Sequence, residues 1–110
     1  MSMDLILYTA ACALSLPLDL PDADHWKNYG RTDWAYETDS WQVIVDIDTS
    51  SEIPDAVKGL KAGLEITVPI TLEPLGANGE GYAFLERTTQ KIIEKCGGGV
   101  LDGPDGLRAY

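Results

Sequence analysis

The residues that could do chemistry are few, and their spacing decides against most of it. His25 is the single histidine of the chain. Any Ser-His-Asp or Cys-His arrangement would have to use it as the base. It stands in Asp22-Ala23-Asp24-His25-Trp26, among charged neighbours and without a nucleophile motif, so a surface or capping role fits it better. Cys12 and Cys96 are isolated from each other and lack Cys-x-x-Cys spacing. With one histidine they do not make a zinc set, and buried thiols are the expectation. Counted as a calcium loop from Asp46, position 6 is Ser51 where glycine is needed, and position 12 is Val57 where a bidentate glutamate is needed. Gly97-Gly98-Gly99 follows a helix-like segment and is not closed by Gly-Lys-Ser/Thr, so it reads as a helix stop and not as a phosphate cradle.

Val43-Ile44-Val45-Asp46-Ile47-Asp48-Thr49-Ser50 is similar to the strand-end Asp-x-Asp-x-Thr of haloacid-dehalogenase-like phosphatases. Ser50 stands where that family has Thr or Val, and a chain of 110 residues has no room for its large domain and later magnesium-binding acids. Other carboxylate pairs carry no specificity, because among eighteen acids some pair always lies close by chance. The expectation is a protein without catalysis, metal or cofactor.

The acids matter more as a field. Eighteen acids against eight bases give a net charge of −10 and a pI near 4.2. That excludes nucleic acid and an anionic membrane as main partners, since both repel such a surface. Residues 1–55 hold eleven acids and two bases, net −9, while residues 56–110 hold seven and six, net −1. Trp26, Trp34 and Trp41, with Tyr29 and Tyr36, crowd the same acidic half. Either these rings pack beneath the sheet and helices, or some ring edges reach the surface. In the second case, rings beside acids form a contact surface for a basic partner. The candidate partner-binding set is Asp33, Trp34, Tyr36, Glu37, Asp39, Trp41, Asp46 and Asp48.

The elements that must position this set follow from periodicity. Residues 4–10 are a strand, apolar on both faces and therefore central. Residues 11–21 carry Pro17 and Pro21 and form a loop, and Asp22 caps a short helix through Tyr29 that ends at Gly30. Trp34–Glu37 and Trp41–Ile47 flank Thr38-Asp39-Ser40 as a β-hairpin. In its second strand Trp41, Val43, Val45 and Ile47 take the core face, and Gln42, Ile44, Asp46 and Asp48 the partly wet, acidic face. Ser51 to Asp55 opens a short helix that Gly63 ends. Residues 64–73 alternate strictly as a half-buried strand, and Pro69 on its polar face predicts an edge position or a bulge. Residues 74–80 are a loop, and 81–96 the strongest helix, with Tyr82, Leu85, Thr89, Ile92 and Cys96 on one stripe. A small terminal hairpin spans Val100-Leu101 and Leu107 to Tyr110.

This order predicts one α+β domain of 110 residues. It has two layers: a mixed or mainly antiparallel sheet with helices on one face, ferredoxin-like in plan. The N-terminus has no base before Lys27, so it does not read as a secretory signal, and cytoplasmic residence is the expectation. Pro at a sheet edge argues for a monomer or at most a weak homodimer.

With Asp4-Leu5-Ile6-Leu7-Tyr8 as its opening strand and Gly97-Gly98-Gly99-Val100-Leu101-Asp102-Gly103-Pro104 after its last helix, the chain resembles the immunity proteins of bacterial interbacterial toxin systems. The resemblance is one of general design over the whole length. It implies tight binding to a cognate protein toxin and neutralisation by plugging or locking its active site. An acidic face would then meet the basic cleft of a toxin domain. The alternatives are an accessory or adaptor protein, a small-ligand binder or an enzyme.

Overall fold

The structure, a computed structural model, describes residues 3–10, 15–30, 33–49, 52–74 and 79–110. Seven strands form one sheet: β1 (Met3–Thr9), β2 (Lys27–Asn28), β3 (Trp34–Glu37), β4 (Trp41–Val45), β5 (Ile66–Pro74), β6 (Val100–Gly103) and β7 (Gly106–Ala109). Their spatial order is β2-β3-β4-β5-β1-β6-β7, and every neighbouring pair is antiparallel. The helices are α1 (Asp55–Lys58) and α2 (Gly79–Cys96). The fold is α+β, with the long helix on one face of the sheet. A ferredoxin-like plan is likewise antiparallel but has four strands and two crossover helices, where this sheet has seven strands and one long helix among its described residues.

β1 is central, as its two apolar faces require, paired with β5 on one side and β6 on the other. Its two faces feed two clusters. Leu5 and Leu7 join Val43, Val45, Val68, Ile70 and Leu72 beneath Phe84, Leu85, Ile92 and Ile93 of α2. Tyr8, with Ile6, meets Ile53, Val57, Leu64 and Val100 on the opposite face. The short helix α1 therefore covers one end of the face that α2 leaves open, and the helices do not all lie on one side.

Two further expectations are corrected. The strand around Pro69 is neither an edge nor bulged: β5 lies between β4 and β1 in continuous register. The proline is tolerated inside the sheet because it sits just past the end of β4. Its carbonyl accepts the Asp46 N–H at 3.0 Å, so its missing N–H would also point towards β4. One ladder bond is lost there, and the bonds to β1 come from the alternate residues. The helix expected from Asp22 to Tyr29 is a single 3-10 turn, Ala23–His25, followed by β2. Asp22 takes a left-handed conformation (φ 50°), and Trp26 is already extended so that its indole N–H reaches the Pro21 carbonyl at 2.7 Å. Ser51, the first residue of the expected helix opening, the loop residues 11–14 and 75–78, and Cys12 lie outside the described residues.

α2 carries one polar atom that the core does not satisfy. Thr88 is fully buried, and its hydroxyl has no hydrogen-bond partner. Thr89, by contrast, donates to the Leu85 carbonyl at 2.8 Å. An orphaned hydroxyl keeps its desolvation cost, and valine has nearly the same shape. Thr88→Val is expected to stabilise the domain by about 1 kcal/mol, read as a rise in the urea midpoint at unchanged slope.

Candidate functional site

Strand register sorts the eight candidate residues between the two faces of the sheet. Trp34 and Tyr36 lie opposite Val45 and Val43, and so share the α2 side with Trp41. Trp41 is buried, at 5% exposure, with its ring stacked on Tyr36 (centroids 5.7 Å apart, planes 14° from parallel). Phe84 of α2 lies 4.3 Å from Tyr36 and 5.1 Å from Trp41. The crowded aromatics are thus mainly the seat of the helix, with Trp34 and Tyr36 left half-exposed at its border.

The acids lie elsewhere. Glu37 pairs with Gln42 on the opposite face. Asp46 and Asp48 continue that face beside Pro69 and Thr67 of β5. Asp33 sits at the β2–β3 turn, where its carbonyl accepts the Tyr29 N–H at 3.0 Å. Asp39 is exposed in the β3–β4 turn, which Thr38 holds by accepting the Trp41 N–H at 3.1 Å. The structure brings together Glu37, Asp46 and Asp48. It separates them from the rings of Trp34 and Trp41, because successive side chains of a strand point to opposite faces.

Register also adds acids that the hairpin alone did not reveal. Asp4 pairs with Thr71, Glu73 with Gln42, and Asp102 with Ile6, all on the same face. Among the described strands this face therefore carries six carboxylates: Asp4, Glu37, Asp46, Asp48, Glu73 and Asp102. Among the described strands the one base on this face is Lys27, whose ammonium lies 3.7 Å from Glu37. Between the acids run half-buried Ile6, Ile44 and Pro69. Asp46 and Asp102 end one row across β4, β5, β1 and β6, roughly 14 Å apart at the usual strand spacing. The two-residue period places Asp4 with Ile6 and Tyr8, and Glu73 with Thr71, but only the strand order joins them into one surface.

Local electrostatics match this crowding. Burial first, and the nearby Asp102 charge second, push the Tyr8 phenol above its ordinary value of 10.0. At the far end, Tyr29 donates its hydroxyl to Glu37, and this bond is the main cause raising its pKa. For Tyr8 the sign is fixed: the unfolded chain releases the proton near 10 while the folded chain still holds it. That contribution to stability is present below pH 10 and is lost as pH climbs through the raised folded-state value. Tyr8→Phe is expected to flatten the alkaline loss of stability above pH 10, measured by urea unfolding from pH 8 upwards.

Among the described residues no group of three or more His, Cys, Asp or Glu is placed to hold a metal ion, and no helix is long and apolar enough to cross a membrane. His25 is exposed, with its ring 6.2 Å from Tyr36. The arrangement offers an open, negatively charged sheet face with a shallow apolar centre. Comparison with protein-family models, with curated proteins and with solved structures finds no match to this chain.

Proposed function

We propose that this chain is a cytoplasmic, non-catalytic binding protein that neutralises a cognate bacterial toxin domain, receiving a basic surface of that partner on its acidic sheet face. The observation that carries the reading is the gathering of Asp4, Glu37, Asp46, Asp48, Glu73 and Asp102 on one face with Lys27 as the one base of its strands. Folding like charges onto one face costs free energy, and a cationic partner offsets that cost. Ile6, Ile44 and Pro69 supply apolar area at its centre, as protein-binding surfaces need. The reading as a toxin inhibitor rests in addition on the resemblance of the whole chain to immunity proteins.

The test is capture of the partner from the native host, followed by two measurements. The partner should bind one to one, with an association rate that falls steeply with salt, and co-expression should abolish its toxicity. A captured partner that is acidic, or one that binds equally fast in high salt, would refute the reading.

A second reading, a small-ligand binder, draws on a different feature. Between α2 and the β6–β7 hairpin lies a groove with a cavity volume of about 770 Å3, floored by Met3, Leu5, Leu101 and Ile93 and bordered by Arg108 and Tyr110. Its size lies within the range of ligand sites, but it is broadly open to solvent where such sites enclose most of their ligand.

A further inference from the structure

The two edges of the sheet are not equivalent. β2 is two residues long, and its Lys27 is engaged by Glu37. Short, charged edges of this kind resist pairing with another chain. β7 is twice as long, and its one charged residue, Arg108, shares the α2 side of the sheet with Leu101. Its four residues are all exposed and contain no proline. Leu107 (37% exposed) and Tyr110 (45%) project beside it.

The ladder states which backbone groups this edge presents. Gly99 and Tyr110 exchange both of their bonds, at 3.2 and 2.8 Å. In an antiparallel pair such bonded pairs alternate with unbonded ones. Arg108 opposite Leu101, and Gly106 opposite Gly103, therefore turn inward. Leu107 and Ala109 turn their N–H and C=O groups away from β6 into solvent.

We propose that two copies of this chain pair edge to edge through β7, antiparallel, about a two-fold axis at Leu107. In this register Leu107 meets Leu107 of the second copy in a bonded pair, so both outward groups are satisfied and two exposed leucines cover each other. Arg108 then lies across from Gly106, which has no side chain to oppose it. The neighbouring register, with Leu107 across from Ala109, would set Arg108 directly against Arg108 and is disfavoured by repulsion.

Charge opposes a second copy less at this edge than at the other. Residues 97–110 hold two acids and one base, and Lys61 adds a cation at the Tyr110 carbonyl, 2.6 Å away. The acids Asp33, Glu37 and Asp39 lie at the β3 end, five strands from β7. Across the pair those ends stand roughly 50 Å apart at ordinary strand spacing, several screening lengths at physiological salt. The expectation of an edge blunted by proline does not apply here, since Pro69 is interior.

The contact is small, so the dimer is weak and concentration-dependent. Sedimentation velocity from about 10 µM to about 1 mM should show a monomer passing into a dimer. Amide exchange read by NMR over the same range should show Leu107 and Ala109 gaining protection together, with Arg108 protected throughout. Leu107→Lys should weaken association by about tenfold or more, by facing two ammonium groups across the axis, although it lowers the net negative charge of each copy. Ala109→Pro, which removes an N–H the fold does not use, should weaken it as well. A single monomeric species at every concentration overturns the proposal. So does a dimer in which Leu107 and Ala109 stay unprotected, and so does protection of these amides only when another protein is added.

Discussion

Gly98→Ala is expected to lower the melting temperature by more than 10 °C. Gly98 has φ +109°, and a Cβ there would stand 2.4 Å from the Tyr110 carbonyl oxygen and 2.7 Å from the Lys61 ammonium. The lysine tip can move, but the carbonyl is backbone and is held by its bond from the Gly99 N–H. The site is a junction of three elements. The Gly98 N–H closes α2 by donating to the Ile93 carbonyl at 2.9 Å, and its own carbonyl accepts the Thr9 hydroxyl at 2.8 Å. Moving this residue to relieve the clash therefore disturbs the end of α2, the end of β1 and the β6–β7 hairpin together. A positive φ on a residue with a side chain costs about 1–3 kcal/mol by itself, and the clash adds to it. A loss of about 3 kcal/mol corresponds to some 12 °C in a domain of this size. Calorimetry of the variant decides it: a fall of less than about 4 °C would mean that the junction yields without strain. Gly97→Ala is the control, because φ there is +74° but nothing lies within 4 Å of the added carbon, so its loss should be clearly smaller.

The second large effect is kinetic. Removing four charges from the acidic face by Asp4→Asn, Asp46→Asn, Asp48→Asn and Asp102→Asn keeps side-chain size while deleting the local field. With the captured partner, the association rate at low salt should fall on the order of 10- to 100-fold. The difference should shrink towards nothing near 1 M salt, where the screening length is about 3 Å. Dissociation should change less, because steering acts before contact. Glu86→Gln with Glu94→Gln on the exposed side of α2 separates the face from net charge. If rates per charge removed are equal in the two variants, the sheet face has no special part in binding.

These surfaces were legible in the sequence to different depths. Strict alternation in residues 64–73 and 41–47 located β5 and β4 and assigned Val43, Val45, Val68 and Ile70 to the core. The helical stripe of Tyr82, Leu85, Thr89, Ile92 and Cys96 and the triple glycine located α2. The double apolar character of Leu5-Ile6-Leu7-Tyr8 made β1 central. The reading weakened wherever the answer depended on strand order, which periodicity does not encode. Pro69 suggested an edge because a proline normally costs a ladder bond. Only the early end of β4 shows that the bond lost is a minor one. The candidate site was half legible for the same reason. The two-residue period in Trp41-Gln42-Val43-Ile44-Val45-Asp46 already parts rings from acids, so the joint set of Trp34, Trp41, Asp46 and Asp48 ran against the chain's own alternation. Asp4 and Asp102 enter the face through pairings spanning most of the chain length, and no local pattern announces these.

The pairing of β1 with β5 and β6 has a consequence for synthesis. Met3 finds Leu72, and Tyr8 finds Val100, so β1, made before the other strands of this sheet, is among the last of them to be enclosed. β2, β3 and β4 can zip locally while Leu5, Ile6 and Leu7 remain bare in the nascent chain. Contacts so distant in sequence slow folding and prolong the exposure of sticky segments. The acidic half emerges during that interval, and its mutual repulsion helps keep growing chains on neighbouring ribosomes from clumping before the sheet can close.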